Sequence, residues 1–165
     1  LVDGINGLFE PGEEMTRAAF VTALGRLSMV DTSMFVVSGF SDVPAGEWYA
    51  PYVMWASQNG IVGGYGDGKF GPDDSITREQ MCAILIRYSD LMGIELANGA
   101  EVKFVDAQDV SLWAVSAVER ASVAGLINGV GDGKFLPQGT ASRAHVSTII
   151  MNFNEQYGRE NGDKD

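Results

Sequence analysis

With Cys82 its only cysteine, the chain can form no disulfide within itself. Met81, Ile84 and Leu85 flank that thiol in an apolar pattern, so it reads as a buried free cysteine. The lack of disulfides does not exclude a cell-surface location; it removes one marker of it. Histidine is equally scarce. His145 stands alone, which leaves zinc sites and histidine-based triads without residues, and neither metal nor cofactor is expected. Basic residues number 11 against 22 acidic ones, giving a formal charge of −11 and no Lys/Arg-rich run that could release counterions from a nucleic acid. An anionic ligand would therefore need a few well-placed local groups to overcome long-range repulsion. No apolar run approaches the ~20 residues of a membrane span. Because Leu1 falls inside a repeat, the natural N-terminus is expected upstream of it.

Other chemistries fail on spacing. Asp73-Asp74 and Glu13-Glu14 lie in turns just before helix caps, where acids complement the helix dipole, so they read as solvated residues and not as glycosidase carboxylates. Gly66–Gly71 matches G-x-G-x-x-G, but no strand precedes it and Leu136 replaces the last glycine in the later copy, which argues against a nucleotide loop. The acids of these loops also miss the spacing of a calcium-binding loop. No catalytic constellation remains, and an enzyme is not expected here.

What the chain does have is repetition. Residues 61–81, IVGGYGDGKFGPDDSITREQM, return 65 positions later as residues 126–146, LINGVGDGKFLPQGTASRAHV. A copy one residue shorter in its loop opens the chain, LVDGINGLFEPGEEMTRAAF. Gly4/Gly64/Gly129, Phe9/Phe70/Phe135, Pro11/Pro72/Pro137 and Arg17/Arg78/Arg143 fall in register, so this is a repeat protein. With 45% hydrophobic and 20% charged residues it is globular, and at this length one compact domain would bury about 70% of its unfolded surface.

Each copy reads as helix, glycine-rich loop, helix. Thr16, Thr77 and Ser142 are N-caps of the second helices, whose apolar positions superimpose as 20/81/146, 23/84/149, 24/85/150 and 27/88/153, with Leu91 and Tyr157 extending the later faces. The first helix of copy two, capped by Asp42 or Ser41, carries Trp48, Tyr52, Val53 and Ala56, with Pro51 near its start and Gly60 as a left-handed stop. Trp113, Ala117, Val118, Ala121 and Gly125 repeat this in copy three. The connector has a short β-favouring run at 35–37. The copies span 1–33 (loop and second helix only), 40–93 and 104–158, followed by a polar tail, 159–165, expected to be mobile. Helical pairs this small cannot bury their own stripes, so an all-α domain of tandem packed repeats is expected.

These residues resemble the S-layer homology family. The resemblance rests on Phe40-Asp42…Trp48…Ala56…Gly60-Ile61…Gly66-Asp67-Gly68-Lys69-Phe70…Pro72…Thr77-Arg78, and again on Phe104-Asp106…Trp113…Ala121…Gly125-Leu126…Gly131-Asp132-Gly133-Lys134-Phe135…Pro137…Ser142-Arg143. It implies a pseudo-three-fold, three-pronged helical domain. It also implies a non-enzymatic anchor that attaches exported bacterial proteins to the wall. The implied partner is a cell-wall polysaccharide or peptidoglycan-linked glycan, often bearing ketal-linked pyruvate, held between the prongs, with a cargo domain upstream or downstream. The chain departs from the family's T-R-A-E motif, reading Thr16-Arg17-Ala18-Ala19, Thr77-Arg78-Glu79-Gln80 and Ser142-Arg143-Ala144-His145. Only Gln80 can stand in for the missing Glu of a capping box.

Two roles are open to the three arginines. At the first helical position, beside unpaired N–H groups, a guanidinium can clamp a carboxylate through two parallel hydrogen bonds. It could equally pair with Asp42, Asp106 or a loop acid; the resemblance favours the ligand. Asp42 and Asp106 would then orient or cap, while Gly66, Gly68, Gly131 and Gly133 shape the pocket walls, although Asp-Gly is also an ordinary turn dipeptide. Trp48 and Trp113 are read first as packing and second as sugar-stacking residues. Trp55, off the main apolar face and replaced by Arg120 in copy three, is the better candidate for an exposed aromatic contact. Two other functions stay open: a protein-interaction or S-layer assembly module using the apolar surface left by the missing first helix, and the end of an exported enzyme whose catalytic domain lies elsewhere.

Overall fold

The computed structural model describes residues 10–35 and 39–158. The first loop with Gly4 and Phe9, Val36 and Val37 of the connector run, and the tail beyond Gly158 lie outside the described residues. Among those described there are five α-helices, two single 3₁₀ turns at Thr32–Met34 and Ala107–Asp109, and no β-strand beyond isolated bridges. The helices are α1, Arg17–Leu27; α2, Ala50–Gln58; α3, Arg78–Met92; α4, Val115–Val123; and α5, Arg143–Tyr157. The chain is all-α.

Contacts divide the chain into two compact units. One comprises residues to Ile76 together with Ser142–Val146; the other comprises Thr77–Ala141 together with the residues from Ser147. In the first, α1 packs on α2; in the second, α3 packs on α4. The second helix of one copy is thus paired with the first helix of the next. Close approach explains one small residue: a Cβ on Gly25 of α1 would lie 2.5 Å from the ring of Tyr52 on α2.

The second helices bury the stripe that their spacing prescribes. Phe20, Ala23 and Leu24 in α1, Met81, Ile84, Leu85 and Tyr88 in α3, and Val146, Ile149, Ile150 and Phe153 in α5 are all buried. Leu27, half-buried, and Leu91, 44% exposed, are exceptions because each falls in the last turn of its helix, beyond the packed stripe. Cys82 is fully buried, and burial pushes its thiol up to about 12, which keeps it protonated and inert. Thr16, Thr77 and Ser142 act as N-caps: their hydroxyls accept from the N–H groups of Ala19, Gln80 and His145 at 3.2, 3.3 and 3.3 Å. Gln80 Oε1 accepts in return from the Thr77 N–H at 3.1 Å and completes a capping box.

The first helices are shorter than their sequence pattern implies. Asp42 caps no helix; α2 begins only at Ala50, with Pro51 in its first turn, and α4 begins at Val115. Trp48 and Trp113 stand before the helices in the turns that lead into them. Both helices end on a glycine in the left-handed region, Gly60 and Gly125, each at φ +70°. Ile61 N–H donates to Ala56 O at 2.8 Å and Gly60 N–H to Ser57 O at 3.1 Å; Leu126 to Ala121 O (2.9 Å) and Gly125 to Ser122 O (3.0 Å) repeat the pattern. This is the paired closing motif that left-handed glycine permits.

A Cβ at Gly60 would meet nothing within 4 Å, so its replacement exposes the backbone preference alone. Gly60→Ala is expected to lower stability by about 1 kcal/mol, read as a shifted urea midpoint with an unchanged slope. An unmoved midpoint would contradict the assignment.

Candidate functional site

The start of each second helix is occupied by the loop of another copy. In α1, the N–H groups of Arg17 and Ala18 donate to the carbonyls of Asp74 (2.9 Å) and Pro72 (3.1 Å). In α3, those of Arg78 and Glu79 donate to Gly139 (2.9 Å) and Pro137 (3.0 Å). In α5, those of Arg143 and Ala144 donate to Glu13 (2.8 Å) and Pro11 (3.2 Å). Bridges Thr16–Ser75, Thr77–Thr140 and Glu14–Ser142 accompany the three contacts. Copy one's helix takes copy two's loop, copy two's takes copy three's, and copy three's takes copy one's. These N–H groups, which the sequence left for a ligand, are spent on the protein.

The arginine side chains extend the same contact. Arg17 Nε donates to Phe70 O at 3.0 Å and its Nη2 to Gly63 O at 3.3 Å. Arg78 Nε donates to Phe135 O at 2.7 Å and its Nη2 to Asn128 O at 2.5 Å. The guanidinium carbon of Arg17 lies 4.7 Å from the centre of the Phe70 ring, and that of Arg78 lies 4.8 Å from the centre of the Phe135 ring. Burial lowers the pKa of both; Tyr65, Asp74 and Asp42 pull that of Arg17 back, and Cys82 and Asp106 that of Arg78. Neither forms an ion pair with a carboxylate among the described residues. The Nη1 of each makes no hydrogen bond there, yet neither is among the enclosed unpaired atoms, so each keeps an edge open. Arg143 is buried as well; Phe9, the copy-one counterpart of Phe70, lies outside the described residues.

Asp42 and Asp106 therefore do not pair with the arginines. Each carboxylate accepts two backbone N–H groups of its own copy's loop: Asp42 from Phe70 and Gly71, Asp106 from Phe135 and Leu136, all at 2.8 Å. Burial alone would raise both carboxyls, but these N–H donors more than offset it and hold them below the ordinary range. Gly66, Gly68, Gly131 and Gly133 all have positive φ, the turn geometry of Asp-Gly loops. Gly64 and Gly129 have a steric reason as well: a Cβ would stand 2.3 and 2.7 Å from the carbonyls of Lys69 and Lys134.

The tryptophans reverse their expected roles. Trp55, placed outside by its mismatch with copy three, is 7% exposed within α2, because the buried surface of this helix extends around Val53, Met54, Trp55 and Ala56. Trp48 and Trp113 are 56% and 54% exposed, free of the core because they precede the helices. Sequence spacing also passed over two groups. Buried Glu79 accepts from Ser111 N–H (2.9 Å), Ser111 Oγ (2.8 Å) and Gln138 Nε2 (2.7 Å), a use signalled by an acid where the other copies have alanine. Tyr65, 4.9 Å from the Arg17 guanidinium, donates its hydroxyl to Asp74 at 2.8 Å. Its counterpart Val130 was the visible sign that the loops differ.

Two stretches, residues 39–82 and 103–147, match the profile of the S-layer homology domain. The chain belongs to this family. Relatives include a cellulosome-anchoring protein of Acetivibrio thermocellus, 29% identical over 94% of this chain and 35% of the relative. An S-layer protein, sap, of Bacillus anthracis is 27% identical over 93% of this chain and 18% of the relative. An amylopullulanase of Thermoanaerobacterium thermosulfurigenes is 38% identical over 96% of this chain and 8% of the relative. The chain thus spans at most about a third of these relatives' lengths.

The loop clasp has a pH signature. Carboxyls held low in the folded state stabilise it above their unfolded pKa of ~3.9, and that contribution is lost as pH falls through the folded values. Asp106→Asn, which leaves one loop N–H facing an amide NH₂, is expected to cost about 1–3 kcal/mol at pH 7 and less at pH 3. Urea midpoints at the two pH values check it; an equal loss at both would contradict the assignment.

Proposed function

We propose that this S-layer homology domain is a non-catalytic anchoring module. It holds an exported bacterial protein to the cell wall by binding a secondary wall polysaccharide bearing an acidic substituent such as ketal-linked pyruvate. The observation that carries the reading is the state of Arg78: 2% exposed, without a carboxylate partner, with two donors on loop carbonyls and Nη1 unspent at an open edge. A buried cation in that state has affinity left for an anion, and a carboxylate reaching it would gain a charge-assisted hydrogen bond. Arg143 is the second primary cation and Arg17 the third, each at the matching position of its own contact. Asp42 and Asp106 act at one remove by fixing the loops whose glycines, Gly66, Gly68, Gly131 and Gly133, shape the walls. Exposed Trp48 and Trp113 offer flat apolar faces to sugar rings. Weak sites repeated along one polymer would bind it with avidity. The enzymes and surface proteins among the relatives, in which this stretch is a minor share, support a longer protein whose cargo lies outside it.

A specific observation keeps a second reading. At the position where α1 has Gly25 and α3 has buried Ile86, α5 carries Met151, 55% exposed. Since the equivalent faces of α1 and α3 are covered by α2 and α4, this face suits a protein helix in an interaction or assembly role.

Co-sedimentation with purified wall sacculi, native and stripped of secondary polymer, separates the two. The anchoring reading expects sedimentation with native walls only, and a loss of roughly tenfold or more in affinity for folded Arg78→Lys, whose ammonium cannot reproduce the fork. Equal binding to stripped walls would favour a protein partner.

A further inference from the structure

The two fully described arginine contacts are built alike but finished differently. Around Arg17, the Tyr65 ring joins Phe70 within 5 Å of the guanidinium, and the Tyr65 hydroxyl is tied to the Asp74 carboxylate. Around Arg78 the described residues place one ring, that of Phe135; Val130 and Gly139 stand where Tyr65 and Asp74 would be. A third position changes with them. Gly71, at φ +72°, has no room for a side chain, because a Cβ would lie 2.4 Å from the Asp74 carboxylate and 2.5 Å from the Tyr65 ring. Its counterpart is Leu136, which keeps the positive φ of +54° without those neighbours. The three residues act as a set, present in one loop and absent from the other.

We infer that Tyr65 and Asp74 form a latch that reserves the Arg17 guanidinium for the protein itself, so that an anionic ligand is taken at Arg78 and not at Arg17. This inference rests on the anion-binding reading above. Exposure does not separate the sites, since Arg17 is 5% and Arg78 2% exposed; charge does. A carboxylate approaching Arg17 meets the Asp74 carboxylate beside it and must share or displace the phenol, and like charges brought together without a new counter-ion repel. At Arg78 the nearby acid is Asp106, whose two oxygens are already engaged by loop N–H groups. The same reasoning makes Gly71 a consequence of the latch and Leu136 a mark of its absence.

The test is a titration of the ¹⁵N-labelled chain with a methyl hexopyranoside carrying a 4,6-linked pyruvate ketal, following the Nε–H signals of both arginines and the amides of their loops. In the wild type, the Arg78 signal and the 127–139 loop are expected to titrate, with Arg17 and the 62–74 loop at least roughly tenfold weaker. In Tyr65→Val/Asp74→Gly, and in the milder Asp74→Asn, the Arg17 signal is expected to begin titrating while Arg78 is unchanged. Equal response of both arginines in the wild type overturns the latch and leaves the anion reading standing. An Arg17 signal that stays silent in both folded variants also overturns it. If neither arginine responds in any protein, the anion reading fails and takes the latch with it.

Discussion

The first turn of a helix has N–H groups without intrahelical partners, and here another copy's loop satisfies two of them at each second helix. This borrowed hydrogen bonding is the constraint on which the rest depends. It requires a loop whose carbonyls face the helix end, which in turn requires the proline and the tight glycine turns. It also requires the loop's far side to be held, which Asp42 and Asp106 do by taking two N–H groups each. The arginine then closes over the loop from the helix side. Each copy is incomplete without another, so the repeat, and not the single helix pair, is the unit of stability.

Arginine suits this position because it does two jobs at once. Its fork reaches two carbonyls while its plane lies near a phenylalanine ring, a combination that an ammonium cannot supply. Burying the guanidinium without an acid costs free energy, and burial lowers its pKa accordingly. The carbonyl dipoles and the ring offset part of that cost. In the function proposed above, what is left over is an affinity for anions in a protein whose net charge otherwise repels them. The structural use is on view in the loop carbonyls that Arg17 and Arg78 hold, and under the proposed function ligand capture would be a second use of the same buried cation.

Much of this was legible from spacing. Register at 20/81/146 and its companions located the buried stripe of the second helices, and Thr16, Thr77 and Ser142 marked their starts, because capping and helical period are local properties. The glycine stops at 60 and 125 were legible for the same reason. Errors came where the deciding contact was distant in sequence. Asp42 resembled a cap because nothing nearby showed that its partners, Phe70 and Gly71, lie 28 and 29 residues on. Trp48 and Trp113 fitted a helical face only if the helices began earlier than they do. Trp55 is buried despite lying off the main apolar face and having no match in copy three, because α2 buries more of its circumference than α4.

Native-state hydrogen exchange at the first-turn amides tests the clasp most directly. First-turn amides of an ordinary helix face water and exchange quickly. If the loops hold these starts as described, the amides of Arg17, Ala18, Arg78 and Glu79 will be protected to the level of the helix centres and open only with them. Exchange at the rate of a frayed helix end, with the helix centres still protected, would show that the loops rest beside the helices without holding them, and the account would fail at its base.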